Sequence, residues 1–247
     1  MWVCLLLASA AASPLVISID HAPLAEFRAR NTHVDATHVE GSVGVSAWTE
    51  RLCTSELLSE STPHDVGTSD SHRRVWESVV SSGTRTLVLE DDIVLSPWVH
   101  AFEREHADEL DAADITLCYA NMNAVLTTVD AAGVSRTSVA YPAYPTLTFA
   151  ERALRRTRNT TTLHRLVHGF GMGCYWITPK GAARLLDKVF PLTTEATSVP
   201  MLPHAIMHTS VDRKLQAVYG DVDARITLPF LGYALRHTPR TILNAND

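Results

Sequence analysis

Positive charge is scarce in this chain and scattered. Lys and Arg number 21 against 27 Asp and Glu over 247 residues, a formal net charge of −6. That balance offers no electrostatic footprint for a nucleic-acid partner. Arginines gather once, at Arg152, Arg155, Arg156 and Arg158, beside the N-x-T sequon Asn159–Thr161. Such a run reads as an exposed loop or helix end. Cysteine is rare too: Cys4, Cys53, Cys118 and Cys174 form no C-x-x-C pair, which excludes a zinc ribbon and a thioredoxin-type site. Cys118 and Cys174 sit inside strand-like runs and read as small buried apolar residues.

Several catalytic signatures are missing as well. There is no G-x-S-x-G nucleophile elbow. The pairs His164/His168 and His204/His208 lack the Glu that H-E-x-x-H requires, and they read as surface or packed histidines. "GFGMG" (169–173) lacks the Lys-Ser/Thr of a phosphate loop and reads as a flexible loop beside a cleft. Beyond the N-terminus, no segment approaches the roughly 20 apolar residues of a membrane span. The opening "MWVCLLLASAAAS" is apolar and ends in small residues but has no positive start. A signal or anchor over 1–13, ahead of a single domain over 14–247, and a plain lead-in to the first strand fit it equally. The compartment stays open between the cytoplasm and the secretory pathway, and so does membrane association.

What is present is an alternation of strand-like and helix-like runs, which predicts an α/β fold with a mostly parallel sheet. Leu15–Ile19, Thr86–Leu89, Ile115–Tyr119 and Cys174–Ile177 read as buried strands. "DSHRRVWESVVSSG" reads as a helix with Val75, Trp76, Val79 and Val80 on its apolar stripe, Asp70 or Ser71 capping its start and Gly83 closing it. Ser96-Pro97 and Thr178-Pro179 each predict an N-cap followed by proline at the first helical position. "HTSVDRKLQAVYG" predicts a short helix closed by Gly220. Residues 31–70 read as loops with one short helix near 48–58, and 121–170 show no clear period.

The stretch "TRTLVLEDDIVLSP" (84–97) carries the chemistry. A core strand runs into Glu90, Asp91 and Asp92, although two like charges ~4 Å apart cost about 4 kcal/mol at an effective dielectric of roughly 20. Acids at the carboxyl end of a strand in an open α/β sheet stand where ligands bind. If the strand continued through them, Glu90 and Asp92 would share one face and Asp91 the other. This resembles the D-x-D arrangement of nucleotide-sugar transferases, in which a hard divalent cation bridges carboxylates and a diphosphate through oxygen. A polar exit from a strand into a turn is the plain structural alternative.

The wider pattern resembles glycosyltransferase family 25, the lipooligosaccharide and procollagen galactosyltransferase group. The likeness is carried by Gly67, Ser71, His72, Trp76 and the Glu90–Asp92 triplet. Further blocks carry it through Gly173, Tyr175, Ile177, Gly181, Ala182 and Leu185 in "GCYWITPKGAARLL", and through Val211, Asp212 and Leu215 in "SVDRKL". "VISIDHAPLAEFRAR" and "HVEGS" resemble the family's opening strand and following turn. Thr68 and Asp70 depart from the family's usual Cys and Leu. The resemblance implies one GT-A-like (Rossmann-like) nucleotide-sugar-binding domain. It also implies an inverting, metal-dependent transfer of galactose or glucose from a UDP-sugar to a glycan or protein hydroxyl, with Mn²⁺ as the cation. In that reading Asp92 and Glu90 hold the metal, and Asp20, Arg28, Ser71, His72, Glu90 and Asp91 meet the nucleotide sugar. Ser71 and His72 would do so from a helix N-terminus. Asp212 and Asp91 are the catalytic carboxylates, Asp212 as the base, although Thr209-x-x-Asp212 also satisfies a capping box. A catalytically silent nucleotide-sugar or carbohydrate binder of the same fold is the alternative, and a metal-dependent phosphotransferase or hydrolase using the same acids a weaker one.

Overall fold

Short β-branched and leucine-rich runs alternate with helices, and nine of the described strands assemble into one central sheet. The structure, a computed structural model, describes residues 12–43, 52–58, 62–121, 125–130, 132–139 and 145–235. The expected signal or anchor segment over residues 1–13 lies almost wholly outside them. The elements are β1 (Leu15–Ser18), α1 (His21–Arg30), β2 (Thr37–Glu40), α2 (Ser55–Leu58), α3 (Pro63–Ser82), β3 (Thr86–Glu90), β4 (Ile93–Leu95), α4 (Val99–Glu105) and α5 (Ala107–Ala112). They continue with β5 (Ile115–Leu117), β6 (Val125–Val129), β7 (Ser135–Val139), α6 (Leu147–Arg155), β8 (Thr162–His168), β9 (Cys174–Ile177) and α7 (Pro179–Val189). β10 (Ala196–Thr197), β11 (Ile206–Met207), α8 (Val211–Val218), β12 (Ala224–Leu228) and β13 (Gly232–Ala234) complete the described chain.

The main sheet has the order β2-β1-β3-β9-β5-β12-β8-β6-β7. Among the described strands, six (β2, β1, β3, β5, β12 and β6) run in one direction, as the alternation predicts, in a single Rossmann-like α/β domain. Reversed strands are interleaved among them, so only the β2–β1, β1–β3 and β5–β12 neighbours are parallel. The strip β12-β8-β6-β7 is antiparallel throughout. It accounts for much of 121–170, where short strands broken by Thr, Ser and His give no strong period. A separate small ribbon pairs β4 with β13.

Helix ends follow local chemistry. Gly83 closes α3 in the left-handed region at φ 67°, where glycine carries no Cβ penalty. Thr178 caps α7 by accepting from the Gly181 N–H, with Pro179 next, as predicted. The start of α3 corrects the expectation. The helix begins at Pro63, where Thr62 and Asp65 form a reciprocal capping box. Ser71 and His72 therefore lie in its middle. A Thr-Pro-x-Asp start was legible at 62–65, but the loop-like composition before it masked the signal. After β4, Ser96 Oγ accepts from Trp98 N at 3.2 Å, yet α4 begins only at Val99. Ser210, not Thr209, is the N-cap of α8, so the capping box expected at Asp212 does not form.

Trp76, Trp176, Tyr175, Phe27 and Leu89 are fully buried between sheet and helices. Large apolar side chains contribute about 1.5–3 kcal/mol each when removed from water. Cys118 and Cys174 are buried free thiols, as read. Val80, expected on the apolar stripe of α3, is exposed.

Candidate functional site at the acidic strand end

β1, β2 and β3 are parallel and in register, so their carboxyl ends form one edge: Ile17 pairs with Glu90 and Ser18 with Glu40. β3 stops at Glu90. Asp91 and Asp92 make the turn into β4, so the strand alternation expected through all three acids ends one residue early. Each acid consequently faces different neighbours. Glu90 Oε1 lies 3.2 Å from His72 Nε2. Asp91 Oδ2 accepts from Ser18 Oγ at 2.5 Å. Asp92 is desolvated, and burial first, then the charges of Glu90 and of Asp91, push its carboxyl well above the usual range. Burial and like charge both penalise the ionised form, and here they act together.

The turn is held rigidly. Arg30 Nη2 donates to Asp91 O at 2.8 Å, Leu235 N to Asp92 O at 3.1 Å, and Glu90 N to Gly173 O at 2.8 Å. Asn31, wholly buried, donates to Ile93 O and accepts from Leu95 N, fastening β4 to the end of α1. Backbone fixed on both sides leaves side-chain geometry little freedom to drift.

The nucleotide-side residues divide. Asp20 ends β1 as the N-cap of α1, accepting from Ala22 N, and Ser18 Oγ lies within hydrogen-bond reach of both Asp20 O and Asp91 Oδ2. That one hydroxyl brings Asp20 and Asp91 together. Arg28 is exposed on α1, and two residues apart on a helix project to nearly opposite sides. Arg30, which sequence reasoning passed over, is the arginine that reaches the acidic turn. Ser71 is buried within α3, donating to Gly67 O and accepting from Ser42 N. It fastens the turn after β2 to the helix and is not at a helix N-terminus, nor is His72. Asp70 binds Ser42 Oγ and Arg73, so the departure from the usual family residue has a packing role here.

Asp212 stands in the first turn of α8, half-buried, accepting from Ser210 Oγ at 2.5 Å. Its backbone, rather than its carboxylate, leads towards the acidic corner. Gln216, one turn on, donates to Asp212 O and grips Gly169 through both N–H and carbonyl. Gly169 opens the glycine loop that runs to Gly173 beside Glu90. The loop directly follows a strand, β8. Gly171 has φ +99°, and a Cβ there would stand 2.5 Å from Asn121 Oδ1. Two residues had no functional role in the sequence reading: Tyr175, whose hydroxyl meets His72 Nδ1, and Trp76, whose indole N–H donates to that hydroxyl. Both were visible as motif letters without a role.

A divalent cation at this corner would meet carboxylate oxygens. Among the described residues, no three His, Cys, Asp or Glu side chains converge to hold an ion by themselves. The carboxylates at this corner are hard oxygen donors, mutually repelling, and one is driven towards protonation. Small hard cations in phosphate-handling sites are held by one or two carboxylates together with the substrate's own phosphate oxygens. The chemistry of the corner fits that mode.

The sequence model of glycosyltransferase family 25 (LPS biosynthesis protein) matches residues 55–200, more than half of the chain. The chain belongs to glycosyltransferase family 25. It is therefore a glycosyltransferase, with a sugar donor and an acceptor. The match takes in α3, the acidic turn, the glycine loop and α7, and ends before Asp212. No curated protein matches the chain. Among solved structures, "Crystal Structure of A197 from STIV" aligns over 87% of this chain and 81% of that one, at 8% identity and a TM-score of 0.39. A likeness that low carries no argument. No helix among the described residues is long and apolar enough to cross a membrane.

Proposed function

We propose that this family 25 enzyme transfers galactose or glucose from a UDP-sugar to a hydroxyl of a glycan or protein acceptor, with inversion and with Mn²⁺ as cofactor. The observation that carries the reading is Asp92: a desolvated carboxyl, crowded by Glu90 and Asp91, at the carboxyl edge of three parallel strands. Asp92 and Glu90 would hold the cation, which when bound supplies Lewis-acid stabilisation to the departing diphosphate. Asp91, fixed by Ser18 and Arg30, orients the donor beside Asp20. Asp212 is the proposed base that takes the proton of the acceptor hydroxyl, a contribution of typically ~10²–10⁴-fold. Arg28 and Ser71 have no part in this reading.

A panel of UDP-sugars, each assayed for UDP release with and without Mn²⁺, tests it. Release from UDP-galactose or UDP-glucose that depends on Mn²⁺ is the expected result. Binding of UDP with Mn²⁺ and no release from any UDP-sugar would identify a silent binder. Phosphate in place of UDP would identify a hydrolase.

A further inference from the structure

Four groups line up from the core to the acidic corner. Trp76 Nε1 is 3.0 Å from Tyr175 Oη, Tyr175 Oη is 2.8 Å from His72 Nδ1, and His72 Nε2 is 3.2 Å from Glu90 Oε1. Trp76, Tyr175 and His72 are all buried, at 0%, 0% and 1% exposure. Their protons can be placed by counting donors. An indole N–H only donates, so the Tyr175 oxygen accepts from Trp76. Burial pushes the Tyr175 hydroxyl well above its usual pKa, so it keeps its proton, and the acceptor in front of it is His72 Nδ1. With Nδ1 accepting, the ring hydrogen sits on Nε2 and points at Glu90 Oε1. The opposite tautomer would set the Nε2 lone pair against a carboxylate and leave the tyrosine hydrogen without an acceptor in this chain of groups.

The consequence falls on Glu90. Its Oε1 is tied inward to the core, and its Oε2 lies on the Gly173 side, where an added Cβ would stand 3.4 Å away. We infer that His72 is a positioning residue: Tyr175 and Trp76 hold it in one tautomer, and it fixes which oxygen of Glu90 is presented to the ligand. The inference rests on the reading of the acidic corner given above. It also replaces the expected nucleotide contact of His72 with an indirect role.

The pair His72→Gln and His72→Asn separates positioning from packing, because a glutamine amide can take the place of Nε2–H while asparagine reaches only the Nδ1 position. The full chain is assayed for Mn²⁺-dependent UDP release and, by calorimetry, for binding of Mn²⁺ with UDP. His72→Asn is expected to lose ~10–100-fold in both, as outer-shell partners typically do, with His72→Gln recovering most of the loss. Equal values for the two variants would overturn the positioning role. Histidine ¹⁵N spectra judge the relay without any donor: the wild type should show an Nε2–H ring that vanishes in His72→Gln and changes in Tyr175→Phe. An Nδ1–H ring for His72 would refute the relay. The expected tautomer in a protein that neither binds UDP nor releases it would instead refute the UDP-sugar reading alone.

Discussion

Asp92 and Asp114 stand at opposite strand ends of the same sheet, one just past the carboxyl end of β3 and the other just before the amino end of the parallel-running β5. Both are withdrawn from water, but their surroundings differ. Asp114 is wholly buried and faces opposite charge: Oδ2 accepts from Arg184 at 2.6 Å and from the Asp223 N–H at 2.9 Å, and Lys180 Nζ stands 3.3 Å from Oδ1. Asp92 has Glu90 and Asp91 beside it, whose charges disfavour its ionised form and outweigh the opposing effect of Arg30. A buried carboxylate matched by cations and N–H groups is scaffold. Crowding of like charge at a desolvated carboxyl is what supports the proposed ligand site there.

That contrast can be broken experimentally. The largest effect expected is on activity: Asp92→Asn should remove Mn²⁺-dependent turnover of UDP-sugars while the thermal midpoint at neutral pH stays the same or rises. Retained activity would sink the metal assignment. On the scaffold side, Gly181→Ala should prevent folding or cost about 3 kcal/mol or more, because its Cβ would fall 1.8 Å from the Asp114 carbonyl oxygen, a backbone atom that cannot step aside. Solubility and circular dichroism would read it. Asp114→Asn should cost about 1.5–3 kcal/mol by denaturant titration, the usual loss for hydrogen bonds to a charged group, with activity per folded molecule unchanged.

The smallest effect is a slope. Asp92 binds its proton more tightly in the folded chain than in the unfolded one. Stability of the metal-free protein should therefore fall as pH rises from about 4, the ordinary aspartate value, through the raised folded value, and level off above it. The same Asp92→Asn variant should flatten that segment of a plot of thermal midpoint against pH. An unchanged slope would show that Asp92 is not the group responsible.

Legibility in the sequence tracked the range of the interactions. Gly83, Thr178-Pro179 and the apolar runs of β3, β5 and β9 were readable because a cap or a buried strand is specified by adjacent residues. The Ser71–His72 helix start was misread because Asp70-Ser71 is also a good cap in isolation, whereas the helix is capped by the box at Thr62–Asp65. The antiparallel strip β8-β6-β7 hid because Thr, Ser, His and Arg interrupt the apolar residues of these short strands, although β6 itself is largely buried.

By itself the amino-acid order determined the alternation of α and β, the family, and the presence of three adjacent acids at a strand end, since all three are written in contiguous residues. Only tertiary structure decided what each acid faces. His72 and Tyr175 are 103 positions apart, and Asp91 and Ser18 are 73 apart. Hydrogen bonds reach about 3 Å, so pairing across such separations exists only once the sheet has brought β1, β3 and β9 side by side.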